Sequence, residues 1–500
     1  MSQPATTYPD WKAPAEDADL LIWPEPAQIL GHTLENHRRL AAQTQLIQGI
    51  PLHDLRRRQR QWLGLNDDRP AIADGHQTEL YHPGVWAKLA LLNVAAAKID
   101  ADSVHFAIDT DASKHLTLRW PGGGASVTDD PALTTAEWSG LLANPTPQHL
   151  NALHAQLTAA AAGWSFHPIG FDFLDDLRRQ SLEQTSFSMT LTNAMHQLDW
   201  GLGLKHQAMI ASPIFACGPY LVLTHHLLAN ACEFAGAYNQ ALSEYRKANR
   251  VRTPGRPMPD LLRGEASCEV PFWLDDLGSQ SRSRATVQRK EGRCYLSIAD
   301  DSFEFKRDID ADVAAAALRE FLRSHNARLS PRALTLTMFL RLFVADQFIH
   351  GIGGARYDQV TDRVITLFFG MEPPAFCVTT STLYFPTALG RPRACVPCLL
   401  HEGHQLRHAT IGAQKTQFLD QIEQLPRGSF QRQRIYHQMH ELLATALVAD
   451  PRHQAWQTRM AESTQQAVED ESIFDRELFY AMQPKERLLS IIDRYQQRFS

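Results

Sequence analysis

The sequence has 500 residues, more than one hydrophobic core usually supports, so two or three domains are expected. With 44% hydrophobic and 21% charged residues and a net charge of -6, its composition is globular and gives no electrostatic footprint for nucleic acid. No uninterrupted apolar run reaches membrane-spanning length, and seven irregularly spaced cysteines suit free thiols, so a cytoplasmic protein is expected.

The N-terminal stretch MSQPATTYPDWKAPAEDADL is polar and acidic, without the cationic start and apolar centre of a signal peptide. Residues 1–68 read as a preamble with helices near 27–48 and 52–63. The basic run Arg56-Arg57-Arg58 with Arg60, beside Trp62, reads as a solvated helix face.

From Arg69 the pattern becomes a strand at 70–73, a turn at Asp74-Gly75-His76-Gln77, a helix over 83–99 and a strand over 103–109. One strand, one helix and one strand in about forty residues predict a parallel βαβ unit. Ligands of such sheets bind beyond the carboxyl ends of the strands. Gly75-His76-Gln77 and Asp109-Thr110-Asp111 both fall there. Glycine lets the backbone approach a ligand, and the start of the following helix favours an anion such as phosphate. His76 and His82 are candidate donors to phosphate oxygens, Gly75, Gln77 and Gly84 candidate backbone contacts, and Lys88 a candidate charge. The competing reading is an ordinary polar loop with solvated histidines. Asp109 and Asp111 are candidates to hold magnesium, a ribose hydroxyl or an amine, against plain turn or cap aspartates.

Beyond, 112–200 reads as an insertion with a helix near 150–162. A strand at 205–211 follows, then a helix opened by Ser212-Pro213 and running to about 247. After the Pro-rich VRTPGRPMPD, short strands near 269–273, 285–289, 294–299 and 302–306 make a small β insertion over about 263–307. Ser330-Pro331 opens an apolar helix reaching the cluster Gly351-Ile352-Gly353-Gly354, followed by a helix over 355–369 and a strand over 376–385. Gly353, Gly354 and Arg356 are candidate phosphate contacts, although the spacing matches neither a Walker A loop nor a dinucleotide turn, and a simple break between helices competes.

From about residue 394 the chain reads as helical and charged, compatible with an antiparallel, coiled-coil-like hairpin. Cys395-Val396-Pro397-Cys398 precedes His401 and His404, which invites zinc. There is no second CxxC, and three-residue steps rotate helical ligands apart, so packed thiols with surface histidines and no metal are expected. Neither a G-x-S-x-G elbow nor an H-E-x-x-H helix is present.

The order of these motifs resembles the bacillithiol-synthesis cysteine-adding enzymes (BshC-like proteins). The family's N-terminal motif, roughly T-G-Q-Q-x-G-L-x-x-G-P with a following lysine, is similar to Asp74-Gly75-His76-Gln77-Thr78-Glu79-Leu80, Pro83-Gly84 and Lys88. Its next strand ends in an acidic element similar to Asp109-Thr110-Asp111. A later Ser-Pro-led helix ending in Asp and a glycine loop resemble Ser330-Pro331, Asp346 and Gly353-Gly354. His76 stands where the family has glutamine, and Arg356-Tyr357 depart from its pattern.

The resemblance spans about 65–385 and implies a Rossmann-like core, helical insertions and a C-terminal coiled-coil arm; a homodimer through the C-terminal helices is a separate expectation. The resemblance also implies ligation of a carboxylate, such as cysteine or another amino acid, to an amine. The carboxylate would be activated by ATP or another adenine nucleotide with magnesium. The expected division is a helical preamble (1–68), an α/β core (69–393) and a helical region (394–500). In the expected catalytic set His76 and Lys88 neutralise charge on phosphate, Asp109 or Asp111 orients magnesium or the amine, and Gly353, Gly354 and Arg356 close the far side. Two other classes remain open. A nucleotide-binding regulatory protein would bind without turnover, and a scaffold would lose its function on truncation near Pro397.

Overall fold

The computed structural model describes residues 8–253, 255–256 and 258–500. The first seven residues of the polar N-terminal stretch, and Pro254 and Pro257 of the Pro-rich connector, lie outside them. The chain is mixed α/β and divides into two compact units: 1–119 with 124–383 and 476–500, and 120–123 with 384–475. The preamble is thus part of the first unit. The second begins at 384 rather than 394, and the last 25 residues return to the first.

The first unit opens with β1 (Leu20–Trp23), α1 (Pro26–Ala41) and α2 (Leu52–Trp62). Strand β2 (Ala71–Gln77), helix α3 (Pro83–Ile99) and strand β3 (Asp102–Ile108) make a parallel pair with an intervening helix, in register from Ala71 opposite Asp102 to Gln77 opposite Ile108. Helices α4 (Pro147–Ala161), α5 (Gly170–Glu183) and α6 (Phe187–Gly201) precede β4 (Gln207–Ile210), which pairs parallel to β3. Helices α7 (Gly218–Ala229) and α8 (Ala231–Ala248) follow. An antiparallel sheet comes next: β5 (Ser267–Asp276), β6 (Ser281–Lys290), β7 (Arg293–Ile298), β8 (Asp301–Phe305) and, after α9 (Ala311–Ser324), β9 (Ala327–Pro331), in the order β8-β7-β6-β5-β9. The chain then re-enters the first sheet through α10 (Ala333–Phe343), β10 (Gln347–His350), α11 (Ile352–Val364) and β11 (Phe376–Ser381).

The main sheet runs β1-β11-β10-β2-β3-β4, parallel except for the antiparallel edge strand β1. From β2 the chain builds outward through β3 and β4, then returns to add β10 and β11 on the other side of β2. The strand order therefore reverses between β2 and β10. Helix α3 covers this centre and is buried along most of its length, as its run VWAKLALLNVAAAKI requires.

Several readings need correction. Asp74-Gly75-His76-Gln77 is strand, not turn, and Gly75 pairs with Phe106 at an ordinary φ. A Cβ there would meet the Phe106 carbonyl oxygen at 3.4 Å, an ordinary contact, so neither φ nor space demands glycine at this position. The apolar run after Pro331 is a helix followed by strand β10, because the chain turns at Asp346. That carboxylate accepts from the Ala71 amide at 2.8 Å and pairs with Arg56 and Arg60 at 2.5 and 2.9 Å. The basic run of α2 is therefore not a solvated face. Arg56 and Arg60, one helical turn apart, are buried, while Arg57 and Arg58 stay outside. The helix expected over 212–247 is broken at Cys217 and Asn230 into a short 3-10 turn, α7 and α8. The expectation of free thiols fails for two pairs: Cys232–Cys268 and Cys395–Cys398 are disulfides, leaving Cys217, Cys294 and Cys377 free among the described residues.

The second unit holds helices α12 (Val396–Ala409), α13 (Gly412–Glu423), α14 (Phe430–Ala449) and α15 (Pro451–Ile473). Helix α15 lies against α12, with Arg459 paired to Glu402 at 2.5 Å and the Trp456 indole donating to the Leu399 carbonyl at 2.8 Å. Ile411, Ile422, Met439 and Leu443 form a small apolar centre. Among the described residues no helix is long and apolar enough to cross a membrane.

Candidate functional site

A cavity of about 340 Å³ opens where the strand order reverses, between the ends of β2 and β10. Reversal points leave a crevice beyond the strand ends, since the connections on either side depart to opposite faces. Gly75 and His76 come from β2, His82, Gly84 and Lys88 from the start of α3, His350 through Gly354 from the end of β10 and the first turn of α11, and Thr380 from β11. Arg476 and Glu477 arrive from the returning C-terminal segment.

Gly351 is the N-cap of α11 and has no side chain to close it, so the amides of Ile352, Gly353 and Gly354 precede the first intrahelical bond, from Ala355 to the Gly351 carbonyl. Such a terminus carries about half a positive charge. A Cβ at Gly351 or Gly353 would meet nothing within 4 Å, so these glycines leave room at the amides. Gly84 is there for a different reason. A Cβ on it would lie 2.5 Å from Thr380 Oγ1 and 2.9 Å from the Arg476 guanidinium. Arg476 donates to Thr380 Oγ1 and to the Ser381 carbonyl, both at 3.3 Å, which sets its guanidinium at the cavity wall. His82 is committed locally, its Nδ1 accepting the Gly84 amide at 3.1 Å as the cap of α3.

Beneath the cavity lies a buried charge cluster. Asp74 accepts from His105 Nδ1 at 2.7 Å and pairs with Lys88 Nζ at 3.1 Å, while Lys88 donates to the Gly75 carbonyl at 2.8 Å. Burial alone would raise the Asp74 carboxyl, but His105 and Lys88 together hold it well below the usual carboxylate range. Lys88, 3% exposed, is therefore already matched in charge. Burial and then the Lys88 charge hold the His76 imidazole well below its ordinary range, so it is neutral at pH 7. This corrects the expectation that His76 and Lys88 supply neutralising charge. The positive groups at the cavity wall are the α11 terminus and the Arg476 guanidinium, with His76 a neutral hydrogen-bonding group. His350, the third imidazole of the wall, is anchored through Nε2 to Asp358 at 2.8 Å.

Of the residues singled out in the sequence, Gly75, His76, His82, Gly84, Lys88, Gly353 and Gly354 line this one cavity. Four do not. Gln77 donates to Asp111 at 3.2 Å just outside it. Asp109 accepts the Ser212 amide and hydroxyl at 2.9 and 2.5 Å and lines a different cavity. Arg356 points back to Asp10 and the Trp11 carbonyl, at 3.2 and 3.1 Å. The sequence reading missed Thr380, His350 and Arg476. His350 was hidden inside a run taken for helix, and Arg476 inside a segment assigned to the helical arm. Among the described residues no group of three or more metal-ligating side chains converges. No protein-family model and no curated protein matches the chain.

Proposed function

We propose that the reversal-point cavity binds the phosphates of an adenine nucleotide, and that the protein is an ATP-using carbon–nitrogen ligase similar to the BshC-like enzymes. In this reading the parallel part of the main sheet is a Rossmann-like core. The observation that carries it is the meeting, over one cavity, of the uncapped α11 terminus, two open glycines and Arg476 at the point where strand order reverses. At about 340 Å³ the cavity lies at the lower end of small-molecule sites, so the phosphate-bearing end is the part assigned to it.

The amides of Ile352, Gly353 and Gly354 would donate to phosphate oxygens, and Arg476 would add charge to the same group. His76, neutral, would donate or accept one hydrogen bond rather than act as a cation. Lys88 would act indirectly, holding the Gly75 carbonyl and compensating Asp74. Asp109 and Asp111 drop out of this site, so a magnesium ion would be held by the phosphates and water. Self-association is assigned to helices α12–α15, to be read by light scattering of the chain with and without 384–475.

The test is thermal melting with ATP, ADP and AMP, each with and without magnesium. A ligand at a hundredfold excess over its Kd stabilises the folded state by about 2.7 kcal/mol. A saturable rise in Tm supports the site, and curves unmoved by all three contradict it. Release of ADP or AMP that depends on a carboxylate and an amine supports ligation. Binding without such release supports the regulatory alternative.

A further inference from the structure

A second cavity, of about 660 Å³, lies at the same carboxyl side of the sheet, beyond β3 and β4, where Asp109 and Ser212 follow the strands. Nothing in the proposed nucleotide site uses it. Its walls are mostly apolar, with Trp138, Met189, Met209 and Leu277 among them. Two guanidiniums lie against the Trp138 indole, Arg282 at 5.0 Å and Arg328 at 5.4 Å from the ring centre. Both arginines share the buried carboxylate of Asp275. One carboxylate thus serves two guanidiniums, and Arg328 is the one that reaches the cavity.

Opposite in sign stands Asp109, buried in the same wall and held by Ser212. Burial raises its carboxyl, the Ser212 bonds and the Arg328 charge offsetting only part of that effect. A cationic partner would supply what is missing. One more polar group completes the set. Thr192 lines the cavity, is 4% exposed, and its Oγ1 has no hydrogen-bond partner. An unpartnered buried hydroxyl costs stability unless something fills its hydrogen-bonding need.

We propose that this cavity is a second ligand site, for a zwitterionic small molecule with a large apolar body, of the class of the bulky apolar α-amino acids. The carboxylate goes to Arg328, the ammonium to Asp109, and the side chain to the Trp138 and methionine walls, with Thr192 Oγ1 bonding either head group. A dication is repelled by Arg328, a dianion by Asp109, and a small polar amino acid leaves the apolar walls wet.

The proposal does not rest on nucleotide binding, and its test is run without nucleotide. L-Tryptophan, L-phenylalanine, L-methionine and L-leucine are titrated calorimetrically into the full chain, beside tryptamine, phenethylamine and 3-phenylpropionate, which lack one head group each. The expected result is saturable binding of at least one amino acid, with the one-headed analogues weakened at least tenfold. Thr192→Val removes a hydroxyl that bonds nothing in the fold. It should melt no lower than the parent, yet weaken the amino acid by about three- to tenfold, the worth of one net hydrogen bond. Asp109→Asn should weaken it more and should leave 3-phenylpropionate binding equal or tighter. No saturable binding by any amino acid overturns the proposal. So does equal binding of the one-headed analogues, or of the parent and both variants.

Discussion

Lys88 Nζ lies 3.1 Å from Asp74 Oδ2 with both side chains buried, and it donates to the carbonyl of Gly75, the next residue along β2 from its ion-pair partner. A lysine at the edge of a proposed phosphate site is therefore spent on the strand beneath it. Removing one member of a buried pair strands the other, at a cost of about 3–5 kcal/mol. Lys88→Met and Asp74→Asn should each lose that much in urea unfolding, and the double variant should recover most of it. A Lys88→Met chain as stable as the parent would show that the lysine belongs to the ligand instead. Because Asp74 is held below its unfolded value, its contribution is complete above the ordinary carboxylate range of about 4 and is lost as pH falls below it.

Asp199 predicts the opposite pH trend. It is buried and accepts from the Trp86 indole at 2.9 Å and the Tyr480 hydroxyl at 3.3 Å. Burial pushes its carboxyl up to about 7, the two hydrogen bonds offsetting only part of the rise. Between an unfolded value of about 3.9 and this folded one, folding takes up a proton. Stability from this group is therefore greatest below about pH 4 and is lost as pH rises through 7. Asp199→Asn keeps a carbonyl acceptor for both donors, so its Tm should gain on the parent between pH 5 and pH 8. A difference that does not change with pH would contradict the assignment.

Much of the central unit is legible in the chain. Helix α3 begins at Pro83 and ends at Ile99 as its proline and apolar run predict, and the four strands of the antiparallel insertion lie where the alternation puts them. The glycines at 75, 84, 353 and 354 all line the cavity, Gly84 and Gly354 where a Cβ would clash and Gly353 where the backbone is left open. What stayed hidden was non-local. Strand β10 is only four residues long and buried on both faces, so no period separates it from the helix before it. Arg56 and Arg60 read as surface charge because their partner, Asp346, is far along the chain. Arg476 reaches the site only because the last segment folds back.

The disulfides make a countable prediction. Cys232–Cys268 closes a loop of 36 residues, worth about 4 kcal/mol by the chain-entropy estimate. Thiol titration of the denatured, unreduced chain should find only Cys217, Cys294 and Cys377, and reduction should lower Tm. Seven reactive thiols would restore the reading of a chain kept in a reducing compartment.

The most direct test of the nucleotide site is calorimetric titration of ATP into the parent and Gly353→Ala, with melting curves for both. A Cβ at Gly353 meets no atom within 4 Å and φ there is not positive, so alanine is accommodated in the first turn of α11. Reduced freedom of the unfolded chain should stabilise the variant by about 0.4–1 kcal/mol. The same methyl occupies the approach to the α11 amides. The account predicts saturable ATP binding by the parent, and a variant that melts no lower but binds at least tenfold more weakly, a loss of about 1.4 kcal/mol. No binding by the parent, or equal binding by both chains, would contradict it.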